Sequence, residues 1–137
     1  ANEKCITYYA NTIKGLLKNY SRDSVYLKAN IDKKSEEAGS SICYFNSMKN
    51  ISFPKVSVKY EINKSDGSYL VELKTETIAK NVYMSIDGDV SAVFEENFFD
   101  MPAGSERKIK FSSSFEIKDV AARFKIITLS DTYPTGK

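Results

Sequence analysis

By type and spacing, the groups in this chain best suited to chemistry are two close carboxylate groupings, Glu95-Glu96 and Asp87/Asp89, and two cysteines, Cys5 and Cys43. A carboxylate-pair hydrolase holds its two carboxyls about 5 to 9.5 Å apart across a cleft, in environments that separate their pKa values. Adjacent residues of a strand point to opposite faces, so Glu95-Glu96 is not expected to work as such a pair. Asp87-Gly88-Asp89 offers oxygens to a cation such as Ca²⁺, but the segment is too short for a dedicated cage and lacks the EF-hand pattern. It is read as a turn. The sequence has no histidine, so a Ser-His-Asp triad, a Cys-His dyad and His-containing zinc or iron sites cannot be assembled from it. Neither cysteine has a base to activate it. Both fall on candidate strands of one segment, where a disulfide and buried free thiols are both open. No catalytic residue, metal ligand or cofactor site is expected.

The chain has 137 residues and a net charge of +2, with 8 basic and 5 acidic residues over 1–53 and 12 and 13 over 54–137. No half is strongly basic, which argues against nucleic acid as a partner. Uninterrupted apolar runs reach about four residues, far short of the roughly 20 that span a bilayer, so no membrane association is expected and the chain is read as soluble. It opens with Ala and shows neither an apolar leader nor a small-residue cleavage site, and so reads as a mature or excised product.

What the residues must be mounted on is legible from alternation. Val, Ile, Tyr, Phe and Thr recur in short alternating bursts, the pattern of half-buried strands. In the first segment, 1–50, strands are expected at Cys5–Tyr9, Ser24–Ile31 and Ser41–Phe45, with a polar break at Asp32–Gly39. Ile13, Leu16 and Leu17 have helical spacing behind a potential cap, Thr12, so one helical turn is expected there. Phe53-Pro54 closes a polar stretch and marks a module boundary. In the second segment, 51–137, strands are expected at Val56–Ile62, Tyr69–Thr75, Val82–Ile86, Val90–Phe94, Arg107–Phe111 and Ala122–Leu129, with a turn at Ser65-Asp66-Gly67-Ser68. Seven or so strands with turn signals every 8 to 12 residues describe an all-β, immunoglobulin-like β-sandwich, preceded by a partial β-sandwich segment. About three strands cannot bury two sheet faces, so the first segment is incomplete alone.

One stretch departs from alternation: Asn97-Phe98-Phe99-Asp100-Met101-Pro102-Ala103-Gly104. Two adjacent phenylalanines cannot both point inward from a flat strand. A tight non-strand corner is expected, held by side-chain to backbone bonds of Asn97 and Asp100 and reset toward the next strand by Pro102-Ala103-Gly104. Together with the upstream run Ala79–Gly88, this stretch resembles the C-terminal immunoglobulin-like domain of glycoside hydrolase family 2 β-mannosidases. There a strand reading roughly A-[KR]-[ND]-V-[YFW]-[LM] leads to F-[SE]-[DE]-N-[FY]-F-D-[LM]-x-P-G-E. Asn97, Phe98, Phe99, Asp100, Pro102 and Gly104 are in place, and Ser105-Glu106 follows where the family commonly has a Glu soon after the Gly. The resemblance is strong over 79–111, weak before residue 40, and spans about Tyr9 to Leu129.

The resemblance implies that 1–50 holds the last strands of a preceding, truncated β-sandwich domain and that 51–137 is the C-terminal immunoglobulin-like domain. It implies a parent enzyme that removes terminal β-D-mannose with two glutamates in a (β/α)₈ barrel. No segment here matches the motifs around those glutamates, so the chain is expected to be a non-catalytic part that supports the barrel. Its partners would be the other domains of the parent glycosidase. The rival reading is a free-standing carbohydrate- or protein-binding β-sandwich module of an extracellular protein. Nine tyrosines supply aromatic surface for carbohydrate as a partner, although Tyr also straddles core and rim in ordinary strands. Such enzymes are periplasmic, extracellular or lysosomal more than cytoplasmic, and no cofactor is implied.

Overall fold

The computed structural model describes residues 12–33 and 36–132. The chain divides into two compact units, 1–52 and 53–137.

In the first unit, helix α1 (Ile13–Leu17) begins where Thr12 caps it, the Thr12 Oγ1 accepting the N–H of Gly15 at 3.1 Å. Strands β1 (Tyr26–Lys33) and β2 (Glu36–Tyr44) pair antiparallel from Tyr26↔Tyr44 to Lys33↔Glu36, with a register shift after Ile31. The polar break expected at 32–39 is therefore largely strand, because ladder bonds are made by the backbone whatever the side chains carry. The strand expected at Cys5–Tyr9 lies outside the described residues, as does any pairing of Cys5. Cys43 is an exposed free thiol rather than a buried one. Leu27 and Ile31 are also exposed, as expected where only two strands pair among the described residues of this unit.

The second unit is the sandwich. One sheet orders β3 (Val58–Ser65), β4 (Ser68–Thr75), β8 (Glu106–Ser112) and β6 (Val93–Phe94) as β3-β4-β8-β6; the other orders β7 (Phe99–Met101), β5 (Ala79–Ile86) and β9 (Phe124–Ile127) as β7-β5-β9. The β3–β4 hairpin closes on Ser65↔Ser68 with φ of 44° at Asp66 and 78° at Gly67. Positive φ at both central residues is the two-residue turn whose twist matches paired strands, and Asp-Gly is its preferred sequence. Strict alternation then turns Tyr69, Val71, Leu73 and Thr75 of β4 inward. They meet Val82, Met84 and Ile86 of β5, Ile109 and Phe111 of β8 and Phe124 of β9 in one core. Aromatic rings run through it, with Tyr69–Phe111, Phe94–Phe111 and Tyr60–Phe124 centroids 5.2, 4.8 and 4.8 Å apart. The buried Tyr69 gives its hydroxyl to the Phe115 carbonyl at 2.6 Å.

Three expectations need correction. Residues 117–123 form a helix, α2 (Ile117–Arg123), before β9, so the strand expected from Ala122 starts at Phe124. Ile117 and fully buried Val120 lie on one helix face, which packs on the core. The strand expected at Val90–Phe94 shrinks to Val93–Phe94, because Asp89 folds 89–92 into a turn: its carboxylate takes the N–H and hydroxyl of Ser91. Finally, the corner at 97–104 contains a short strand, Phe99–Met101, which pairs with β5.

Candidate functional site

The corner over 97–104 works as an edging for β5. Val82 and Met84 turn their backbone N–H and C=O groups away from β9, toward an edge that β7 covers only as far as Phe99↔Val82. Beyond that point side chains replace backbone. The N–H of Phe98 donates to the Val82 carbonyl at 2.8 Å. The Asn97 amide then acts as a substitute peptide group, accepting the Met84 N–H at 2.7 Å and donating to the Met84 carbonyl at 3.0 Å. At the other end, Asp100 accepts the Asn81 N–H at 3.0 Å with one oxygen and pairs with Lys80 at 2.7 Å with the other. The Lys80 and Asp100 side chains are only 18% and 19% exposed. Asn97 and Asp100 thus reach backbone groups of a strand 13 and 19 residues away.

The two phenylalanines separate through a backbone reversal. Phe98 has φ of +60° and, across the bulge between Ala79 and Val82, Asn81 has φ of +52°. Phe99 therefore turns inward, 8% exposed, while Phe98 is left 68% exposed, its ring stacked on Tyr83 at 4.9 Å. The Arg107 guanidinium lies over the Phe99 ring at 4.4 Å and is held by both oxygens of Glu96 at 2.6 and 2.7 Å. Met101 is buried beside Phe99. Pro102 and Gly104 close the corner. The Pro102 carbonyl accepts the Ser105 N–H and hydroxyl, and Gly104, at φ +71°, donates its N–H to Thr75.

Three of the four carboxylates that spacing brings forward, Glu96, Asp87 and Asp89, are committed to structural bonds. Glu96 holds Arg107, and Asp87 pairs with Lys125 at 3.0 Å. Asp89 is buried and accepts four hydrogen bonds, from the Ser91 N–H and hydroxyl and from the Ser113 hydroxyl (2.5 Å) and Ser114 N–H (2.9 Å). The hydroxyls of Ser113 and then Ser91 hold its carboxyl far below the ordinary carboxylate range. Among the described residues no three His, Cys, Asp or Glu side chains cluster as metal ligands. In a groove of about 540 Å³ between Lys55, Lys59, Lys74, Glu76 and Glu106, Lys59 pairs with Glu76 and Lys74 with Glu106, each at 2.8 Å.

Asp89 predicts an acid response. A carboxyl whose folded pKa is depressed adds stability that is fully present above its unfolded value of about 3.9 and is lost as pH falls toward the folded value. Asp89→Asn should lower Tm by roughly 5–10 °C at pH 7. Thermal scans between pH 7 and pH 2 check the sign: the wild-type advantage should narrow below about pH 4.

Two sheets ordered β3-β4-β8-β6 and β7-β5-β9 around one core make the second unit an immunoglobulin-like domain. The family model Ig_mannosidase, an Ig-fold domain, matches residues 53–132, and the chain belongs to that family: it carries an accessory Ig-fold domain of the kind found in mannosidase-like enzymes. No curated protein matches the chain.

The corner's importance is visible in sequence as a break in alternation. Its partners on β5, the Asp89 serine network and the Tyr83–Phe98 stack are not, because each joins residues that the fold alone brings together.

Proposed function

We propose that this chain is a non-catalytic part of a β-mannosidase-like glycoside hydrolase, in which residues 51–137 form the terminal Ig-like domain and 1–50 complete a preceding β-sandwich. The domain packs against its neighbours and supports the (β/α)₈ barrel that hydrolyses terminal β-D-mannose. The family match over 53–132 carries this reading. The commitment of Glu96, Asp87 and Asp89 to structural bonds supports it, as do the exposed apolar residues of the β1–β2 hairpin, which suit a ribbon that belongs to a larger sheet.

The test has two arms. The chain alone, assayed on a chromogenic β-mannoside, should show no turnover above buffer; authentic turnover would overturn the reading. Deleting 51–137 from a parent enzyme should lower its Tm while leaving the barrel's carboxylates in place.

A further inference from the structure

Phe98 is poorly explained by the fold that holds it. Its backbone must adopt φ of +60° so that Asn97 and Phe99 can both serve β5. Glycine or asparagine meets that need without the steric cost that a bulky side chain incurs there. Burial does not offset the cost, because the ring is 68% exposed.

The ring sits at one end of a row that runs from the corner across β5 to β9. One of its faces covers half-buried Tyr83 of β5. Tyr83 is in register with Ile127 of β9, which is 42% exposed. Charged neighbours before and after the row along the strands are paired within the domain, Lys80–Asp100 at 2.7 Å and Lys125–Asp87 at 3.0 Å. The row therefore offers no unpaired charge to an ionic partner. Beside it stand uncharged polar groups, the Tyr83 hydroxyl and the Asn81 amide, whose side chains make no hydrogen bond among the described residues. The exposed apolar area is on the order of 250 Å², given about 150–250 Å² for a whole aromatic side chain. A specific protein interface takes roughly 800 Å² from each partner, about three times as much.

From these features we infer that Phe98, Tyr83 and Ile127 form a binding platform for a neutral saccharide, with one pyranose ring stacked on the free face of Phe98. The C–H face of such a ring is apolar and uncharged, and its rim of hydroxyls suits the Asn81 amide and Tyr83 hydroxyl. An open platform without enclosing walls binds weakly, with Kd on the order of 1 mM. The inference needs only the fold of the second unit and is independent of whether the parent enzyme cleaves β-mannosides.

The test is titration of the ¹⁵N-labelled full chain with mannotriose and, separately, cellotriose, to about ten times that Kd, followed by amide shifts. Saturable shifts centred on Asn81, Tyr83, Phe98 and Ile127 with either sugar are the expected result. Phe98→Asn, which keeps the left-handed backbone and hence the fold, should weaken binding at least tenfold, with the remaining amide spectrum preserved. No shifts with either sugar, shifts confined to another surface, or undiminished binding by Phe98→Asn would overturn the inference. So would concentration-dependent shifts at these residues without sugar, which would assign the row to a second copy of the chain.

Discussion

Phe99→Ala is expected to destabilise the Ig-like domain by about 3–5 kcal/mol, the range for truncating a buried aromatic. Domains of this size are stable by only about 5–15 kcal/mol, so the variant should be partly unfolded at 37 °C or lose roughly 15–25 °C in Tm. Two contributions add. The ring fills the space beside Met101 and Val82 in the core, and its outer face receives the Arg107 guanidinium, which Glu96 fixes in place. Removing the ring leaves a cavity at the junction of β7 and β5 and a cation that has lost its cover. The neighbouring residue supplies the contrast. Phe98→Asn removes a ring of the same size from an exposed position and suits the left-handed backbone, so it should change stability by less than about 1 kcal/mol. Paired thermal melts of the two variants read this directly. Equal losses would mean that Phe98 and Phe99 share the load and that the separation of their environments is wrong.

How far such behaviour is legible in sequence depends on the range of the interaction responsible. The β3–β4 hairpin is readable because Asp66-Gly67 encodes its turn locally and strict alternation on β4 fixes which face is buried. The single turn at Ile13–Leu17 is readable for the same reason, through Thr12 and the spacing of the apolar residues. Helix α2 is not, because Ala121-Ala122-Arg123 runs straight into the alternation of Phe124–Ile127 and one burst can serve two periods. Strand β6 is shortened by the turn that Asp89 makes with Ser91, and the same carboxylate is held by Ser113 and Ser114, about 25 residues ahead, which no local window contains. The 97–104 stretch lies between these cases. Two adjacent phenylalanines announce a reversal, but that the reversal sits at Phe98 and frees Phe99–Met101 to pair follows only from the bulge at Asn81 on the opposing strand.

That opposing strand is also why Asn97 should be harder to replace than its half-buried position suggests. Its amide satisfies both backbone groups of Met84, in the middle of a strand whose Val82, Met84 and Ile86 side chains are all buried. Asn97→Ala removes one side chain but leaves one donor and one acceptor without partners, each costing about 1–3 kcal/mol where water has poor access. A loss of about 2–4 kcal/mol, or roughly 10–20 °C in Tm, is expected. Asn97→Asp separates hydrogen bonding from packing. It preserves the shape and still accepts the Met84 N–H, but it cannot donate to the Met84 carbonyl and sets a negative charge against it. If the substitute-peptide role is right, Asp should be nearly as damaging as Ala at pH 7 and should recover part of the loss below about pH 4, where the carboxyl protonates and regains a donor. Amide exchange supplies the local readout, since the Met84 N–H should lose protection in Asn97→Ala well before the β3–β4 hairpin does. A variant that melts normally and keeps Met84 protected would show that β5 holds its edge without this amide.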